Sequence, residues 1–280
     1  MKRLARPKVS VIIPAYKATT VLPRALASIA KQGLEPALLE VIIAADDAAY
    51  DTYSKAAVIW PNSRVIRPGR RTGSGPGATR NRGRAAARGR YIAFLDADDA
   101  WGTGFLAATL PLAGKHGAAV APTTVFAEDG QPVLTLDPGM RLRMADLGRL
   151  CGSFQPLMDA AMETRFEDFP AQDVFHLMEV MAMTGGWLPV ARESRYHLHL
   201  GGGSVTADAG YGRRVDQGYR MMQALLQHRL TAIDAMAACA ARQALNRRRQ
   251  HNARYSRLGV PPAGGFYGYL AAWQENISLN

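Results

Sequence analysis

Hydrophobic positions fall in short unbroken runs separated by polar stretches with helical spacing. This is the pattern of strands buried on both faces, alternating with helices. Val9-Ser10-Val11-Ile12-Ile13-Pro14 is the first run, β-branched and closed by a proline. Val21, Leu22, Ala25, Leu26 and Ile29 then share one helical face; Thr19 or Thr20 is the expected cap, and Gly33 the stop. Leu39–Ala45 is a second buried strand, followed by a polar helical stretch to about Trp60 and a short strand around Arg64-Val65-Ile66. The order β-α-β-α-β predicts a parallel, doubly wound sheet with right-handed crossovers.

A glycine-rich basic loop, Gly69–Ala78, leads into a helix predicted over Thr79–Gly89. Tyr91–Leu95 is then an apolar strand that ends in three carboxylates, Asp96, Asp98 and Asp99. The Leu39–Ala45 strand likewise ends in Asp46-Asp47. Open α/β sheets bind ligands at the carboxyl ends of their strands, and carboxylates packed so closely call for a cation; a solvated acidic turn is the plainer reading of the same residues. A helix follows around Phe105–Leu112, then strands at Val120–Phe126 and Pro132–Leu136 around an Asp129-Gly130 turn. The pattern from Met140 to Met162 reads only as mixed helix and loop. Asp173–Met183 has helical spacing; Trp187–Val190 and Tyr196–His199 read as short strands, and Gly201–Ser204 as a loop. One long amphipathic helix is predicted from Val215 to Asn246, ending in the basic cluster Arg247–Arg254.

Composition adds an anionic partner to this picture. The net charge is +11, from 34 Lys and Arg against 23 Asp and Glu. Two isolated cysteines, Cys151 and Cys239, read as reduced thiols and predict a cytoplasmic protein. The basic amino terminus runs straight into a strand with no signal-peptide core, and no apolar run is long enough to span a bilayer.

Four blocks together carry a family resemblance: Val9–Tyr16, the Asp46-Asp47 strand end, Ala78-Thr79-Arg80-Asn81-Arg82-Gly83, and Gly89–Trp101 with its Asp96-Ala97-Asp98. In order and spacing they resemble a family 2 glycosyltransferase of the GT-A fold over roughly the first 110 residues. The resemblance implies an α/β, Rossmann-like, mostly parallel central sheet with helices on both faces, plus a helical carboxyl-terminal tail. The expected division is 1–209 for the GT-A domain, with a nucleotide-sugar half (1–110) and an acceptor half (111–209), and 210–280 for a basic helical extension.

The resemblance also implies roles. Pro14, Ala15 and Tyr16 fall where the family packs the nucleotide; Asp47 matches its contact to the base, with Asp46 beside it, and Arg80 matches the arginine next to the nucleotide. Asp96-Ala97-Asp98 is the DxD motif, in which Asp98 would ligate Mn²⁺ or Mg²⁺ and Asp96 and Ala97 would face the donor. His199, in Tyr196-His197-Leu198-His199, is a better match than His197 for a histidine that can complete the metal site, with a plain surface histidine as the other reading of either. Inverting members use a carboxylate base at the start of a helix; here Asp173 is the candidate, with Asp168 as the alternative and helix capping as the non-catalytic reading. The family's usual glutamate before the base is Gln172 in this chain. The implied partners are a nucleoside diphosphate sugar, expected to be UDP-linked, and a saccharide or lipid-linked saccharide acceptor in polysaccharide or glycolipid biosynthesis.

Two other classes share parts of the pattern. Gly73-Ser74-Gly75-Pro76-Gly77-Ala78 fits G-x-G-x-x-A, but it does not follow a strand directly, and Pro76 removes an amide from any phosphate cradle. A sugar nucleotidyltransferase would need a glycine-rich basic loop where this chain has Pro14-Ala15-Tyr16-Lys17; a non-catalytic basic binding protein on a degenerate GT-A scaffold is the remaining rival. The arginines of the tail are not interleaved with aromatics, so nucleic acid is not expected. They suit peripheral contact with the inner face of an anionic membrane, with Gly265–Leu270 and Trp273 as an apolar contact.

Overall fold

The strands predicted first form the centre of the molecule. In the computed structural model, which describes residues 6–69, 71–201, 210–228, 231, 233–258 and 260–278, β1 (Val9–Ala15) lies between β2 (Leu39–Ala45) and β4 (Tyr91–Phe94), parallel to both. β3 (Ser63–Ile66) extends the parallel set beyond β2. On the other edge, β10 (Leu157–Asp159) pairs antiparallel with β4 and with β6 (Ala118–Ala119), giving the order β3-β2-β1-β4-β10-β6. A second sheet, ordered β5-β12-β7-β8, joins β5 (Ala100–Trp101), β12 (Tyr196–His199), β7 (Thr123–Phe126) and β8 (Pro132–Leu136). A separate ribbon pairs β9 (Arg141–Arg143) with β11 (Trp187–Pro189).

Strand alternation divides the core in two. Val9, Val11 and Ile13 face a cluster that includes α1 (Leu22–Ile29), α2 (Tyr50–Ala57) and α4 (Phe105–His116). Ile12, Ile92 and Phe94 face the other, built from α5 (Met144–Leu150), α6 (Gln172–Met183), α7 (Tyr211–Gln227), α8 (Ala235–Tyr255) and α9 (Gly265–Ser278). The carboxyl-terminal helices are therefore packed into the core that carries α6.

Several expectations are corrected. Neither Thr19 nor Thr20 caps α1; the chain turns at Ala18, whose carbonyl accepts the Val21 and Leu22 amides at 3.2 and 2.9 Å. α3 (Pro76–Ala86) starts three residues early, because Pro76 sits at the helix start, where no amide is needed, and Gly75 adopts φ 90° to enter it. The single strand expected at Val120–Phe126 is broken at Pro122, with Ala118–Ala119 in the main sheet and Thr123–Phe126 in the second. The long helix expected over Val215–Asn246 is two. Asp234 caps α8 by accepting from the Met236 and Ala237 amides, and the basic cluster lies within α8 instead of after it. Arg70, Gly202-Gly203-Ser204 and the boundary at Ala209 lie outside the described residues.

Candidate active site

The carboxyl ends of β1, β2 and β4 release Pro14-Ala15-Tyr16, Asp46-Asp47 and Asp96–Asp99 on the same side of the sheet, as the parallel register requires. Tyr16 is 53% exposed, an aromatic face open to solvent. Its neighbour Lys17 takes φ 51° and donates its amide to Asp47, which also accepts from Tyr53 Oη at 2.9 Å and the Ala49 amide at 2.9 Å. Asp46 is buried and turned toward the glycine loop. It accepts from Ser74 Oγ at 2.6 Å, the Gly75 amide at 3.0 Å and Arg82 Nη2 at 3.0 Å. Burial alone would raise its carboxyl, but these donors outweigh burial and hold it below the ordinary range. Asp46 thus contributes the position of the loop.

Arg80 projects from α3 beneath the strand tips. Its guanidinium is buried, pairs with Asp96 and reaches Gln172 Oε1 at 3.4 Å. Burial opposes its charge; Asp96 and then Asp173 favour it and raise its pKa overall. The side chain of Asp96 remains 27% exposed.

The three acids of the β4 tip have separated. Asp99 is buried, accepting from Tyr196 Oη at 2.7 Å and the His199 amide at 2.9 Å, so it ties the strand tip to β12. Desolvation, then Asp98 and Asp96, push its carboxyl well up. Tyr196 Oη also accepts the Asp96 amide at 3.2 Å. The side chain of Asp98 has no direct cation among the described residues, since Arg24 donates only to its backbone carbonyl. Surrounding protein and the Asp96 charge raise its pKa, and the charges of Arg24 and Arg80 offset this only in part. His199 stacks on Phe126 at 5.2 Å, and desolvation followed by Arg24 lowers its pKa to about 4, which keeps the imidazole neutral and able to ligate at pH 7. Both His197 and His199 face Phe126, as strand alternation requires.

Among the described residues no group of three or more His, Cys, Asp or Glu could hold a metal by itself. Mg²⁺ and Mn²⁺ do not need one, because one or two carboxylates with substrate phosphates suffice. Asp98 is exposed and without a direct cation, and its neighbour Asp99 accepts the amide of the neutral His199, so these residues fit such a shared site.

Asp173 lies in the first turn of α6 but does not cap it; the cap position is Ala171, at φ 59°. Its Oδ2 accepts from Ser153 Oγ at 2.6 Å, and it lies close enough to Arg80 to favour that residue's charge. Asp168 is exposed near the entrance to α3; a Cβ on Gly75 would lie 3.8 Å from its Oδ1. Sequence reasoning had no motif for Ser153, Arg24 or Tyr196. Each reaches the site from a segment remote from the residue it touches, and a local pattern carries no signal for that. The arginine tail is also more occupied than expected: Arg248 is buried, and Arg249 pairs with Asp216 at 2.8 Å. Phe266, Tyr267 and Leu270 are buried in the core and do not form an apolar outer contact.

Residues 10–159 match the family model described as glycosyl transferase family 2. Among curated proteins, the chain is 36% identical over 147 residues to the succinoglycan biosynthesis protein ExoO of Rhizobium meliloti, covering 51% of this chain and 39% of the relative. It is 33% identical over 93 residues to the UDP-Glc:alpha-D-GlcNAc-diphosphoundecaprenol beta-1,3-glucosyltransferase WfgD of Escherichia coli, covering 33% and 36%. The chain thus spans less than half the length of these relatives. Among solved structures, S. aureus TarS 1-349 in complex with UDP-GlcNAc superposes with a TM-score of 0.68 at 18% identity, covering 90% of this chain and 76% of that one. The architecture is the expected GT-A fold with a helical carboxyl terminus.

Proposed function

The chain belongs to glycosyl transferase family 2, and on that premise we propose that it is an inverting, metal-dependent glycosyltransferase. It moves a sugar from a nucleoside diphosphate sugar, UDP-linked, to a hydroxyl of a saccharide or lipid-linked saccharide in polysaccharide or glycolipid biosynthesis. One observation carries this reading: the buried guanidinium of Arg80 touches Asp96 at the proposed donor end and Gln172, next to Asp173, at the proposed acceptor end. The names of the relatives and the UDP-GlcNAc complex of TarS support the donor class.

In this mechanism Tyr16 and Asp47 border the nucleotide, and Asp96, fixed by Arg80, faces the ribose. Asp98 and His199 would hold Mn²⁺ or Mg²⁺, which when bound offsets charge on the departing diphosphate. Asp173 accepts the proton of the acceptor hydroxyl while the hydroxyl oxygen attacks the anomeric carbon from the face opposite the leaving group. Gln172 adds no further negative charge to those of Asp96 and Asp173 around Arg80, so that guanidinium keeps more of its field for the donor.

Asp98→Ala is expected to abolish Mn²⁺-dependent UDP binding in calorimetry, along with transfer; full activity would remove the metal assignment. Asp173→Asn is expected to bind UDP normally and lose about 10²–10⁴-fold in turnover. Unchanged turnover would move the base to Asp168. The reading also holds the protein in the cytoplasm at the inner face of the membrane, with exposed Arg254 and Arg257 followed in the chain by exposed Leu258 and Val260. Full recovery in the supernatant after sedimentation with anionic liposomes would refute that contact.

A further inference from the structure

The segment Cys151–Pro156 links α5 to β10, matches none of the four sequence blocks, and meets Asp173 at Ser153. Ser153 Oγ donates to Asp173 Oδ2 at 2.6 Å, the short length of a charge-assisted hydrogen bond. The backbone that carries this hydroxyl is clamped. Arg248, buried on α8, donates to the carbonyls of Gly152 and Cys151, each at 3.0 Å. The same guanidinium is itself fixed by Leu147 O at 2.9 Å and Tyr219 Oη at 2.9 Å. Thr123 Oγ1 donates to the Ser153 carbonyl at 3.1 Å from the other side. Gly152 leaves no slack, since a Cβ there would lie 2.0 Å from Leu136 Cδ1.

A carboxylate in the first turn of a helix, with no cap role, can otherwise rotate among rotamers, and a base that rotates loses the benefit of fixed orientation. Holding one oxygen in place aims the other. We propose that Ser153 is a positioning residue for sugar transfer, its hydroxyl fixed through the Arg248 clamp and holding Asp173 Oδ2 so that Oδ1 meets the acceptor hydroxyl. This rests on the reading of Asp173 as the base. The acceptor proton passes to Asp173 Oδ1 and the acceptor oxygen bonds to the anomeric carbon. The nucleoside diphosphate leaves with the electron pair of the broken C–O bond, and the Ser153 proton stays on Ser153. The carboxyl-terminal helices thereby act on the reaction through the backbone of one short loop.

The test compares the full chain with Ser153→Ala, Ser153→Thr and Asp173→Asn. It follows UDP release from UDP-glucose, UDP-galactose and UDP-N-acetylglucosamine with Mn²⁺ and water as acceptor, using the donor the wild type turns over fastest. Ser153→Ala is expected to lower kcat about tenfold, an amount set by one hydrogen bond to a charged group, while donor KM, UDP affinity and Tm stay near wild type. Ser153→Thr, which keeps the hydroxyl, is expected to restore most of kcat. Wild-type kcat in Ser153→Ala, with Asp173→Asn inactive, would overturn the positioning role and leave the base intact. So would equal kcat losses in both serine variants accompanied by equal drops in Tm. An active Asp173→Asn, or a wild type silent with all three donors, would instead overturn the reading of the base or donor.

Discussion

Replacing Arg248 by methionine tests how far the carboxyl-terminal helices hold the fold. Arg248 is 4% exposed and makes four hydrogen bonds, to Tyr219 Oη and to the carbonyls of Leu147, Cys151 and Gly152. None of its hydrogen-bond partners among the described residues is a carboxylate, although the charge of Asp173 also favours it, so most of its worth lies in satisfying acceptors that water cannot reach. Methionine fills similar space and leaves three carbonyls at the end of α5 without this donor. At about 1–3 kcal/mol for each unsatisfied buried acceptor, offset in part because a thioether is cheaper to bury than a guanidinium, the loss is about 3–5 kcal/mol. That is a large share of the roughly 5–15 kcal/mol a domain commands. Urea unfolding followed by tryptophan fluorescence and circular dichroism should show the midpoint falling with the slope m unchanged. Arg248→Lys, which can still serve one or two carbonyls, should fall between. A loss below about 1 kcal/mol for the methionine variant would refute the reasoning, because it would mean that the carbonyls find water or other donors.

Two further perturbations address the amino-terminal part of the main sheet. Glu40 is buried and accepts from Ser10 and from the Arg88 amide and side chain, with Arg64 alongside; burial would raise its pKa, but these partners hold it lowered. Its contribution is present above the unfolded value near pH ~4.3 and is lost as pH falls through the lower folded value. Glu40→Gln should therefore lose about 2 kcal/mol at pH 7, and the gap to wild type should close below about pH 4 in urea titrations; a gap that stays constant with pH would contradict the ion-pair account. Gly83→Ala would put a methyl 2.4 Å from Ile12 Cγ2, where α3 crosses β1, and should cost about 1–3 kcal/mol. A neutral result would mean that α3 can lift off the sheet freely.

What could be read along the chain was whatever a local pattern encodes. β1, β2 and β4 announce themselves through continuous apolar runs, because a strand buried on both faces needs no polar positions. The acids at their tips could be placed because parallel strands deliver all carboxyl ends to one edge. The failures share one cause, which is that the deciding partner is distant. β10 and β9 are three residues each and become strands only by pairing with β4, β6 and β11. The gap between α7 and α8 was hidden by a continuous alanine-rich pattern, although Asp234 carried the cap signal. At the site, the likeness of Asp46 and Asp47 in sequence conceals different surroundings. One is consumed by Ser74, Gly75 and Arg82; the other joins Lys17 and Tyr53 beside the exposed Tyr16. Asp99 likewise looks like its neighbours until Tyr196 is brought against it.

The division of the core on either side of the main sheet has a consequence for synthesis. Among the described residues, the cluster that holds α1 and α4 draws its last buried residue from Tyr196, whereas the cluster that carries α6 continues to Leu270. At about 5–20 residues per second, a ribosome takes roughly 4–15 s to cover that interval. During this time one face of the sheet is sealed, and on the other Phe94 of the sheet and Val174 and Met178 of α6 lack the helices that cover them. The nascent chain therefore passes through a half-finished state with a sticky flank. A stall between β12 and α9 would leave a product with one cluster complete and the other open to chaperones, a form that pulse proteolysis of arrested chains would display as a stable amino-terminal fragment.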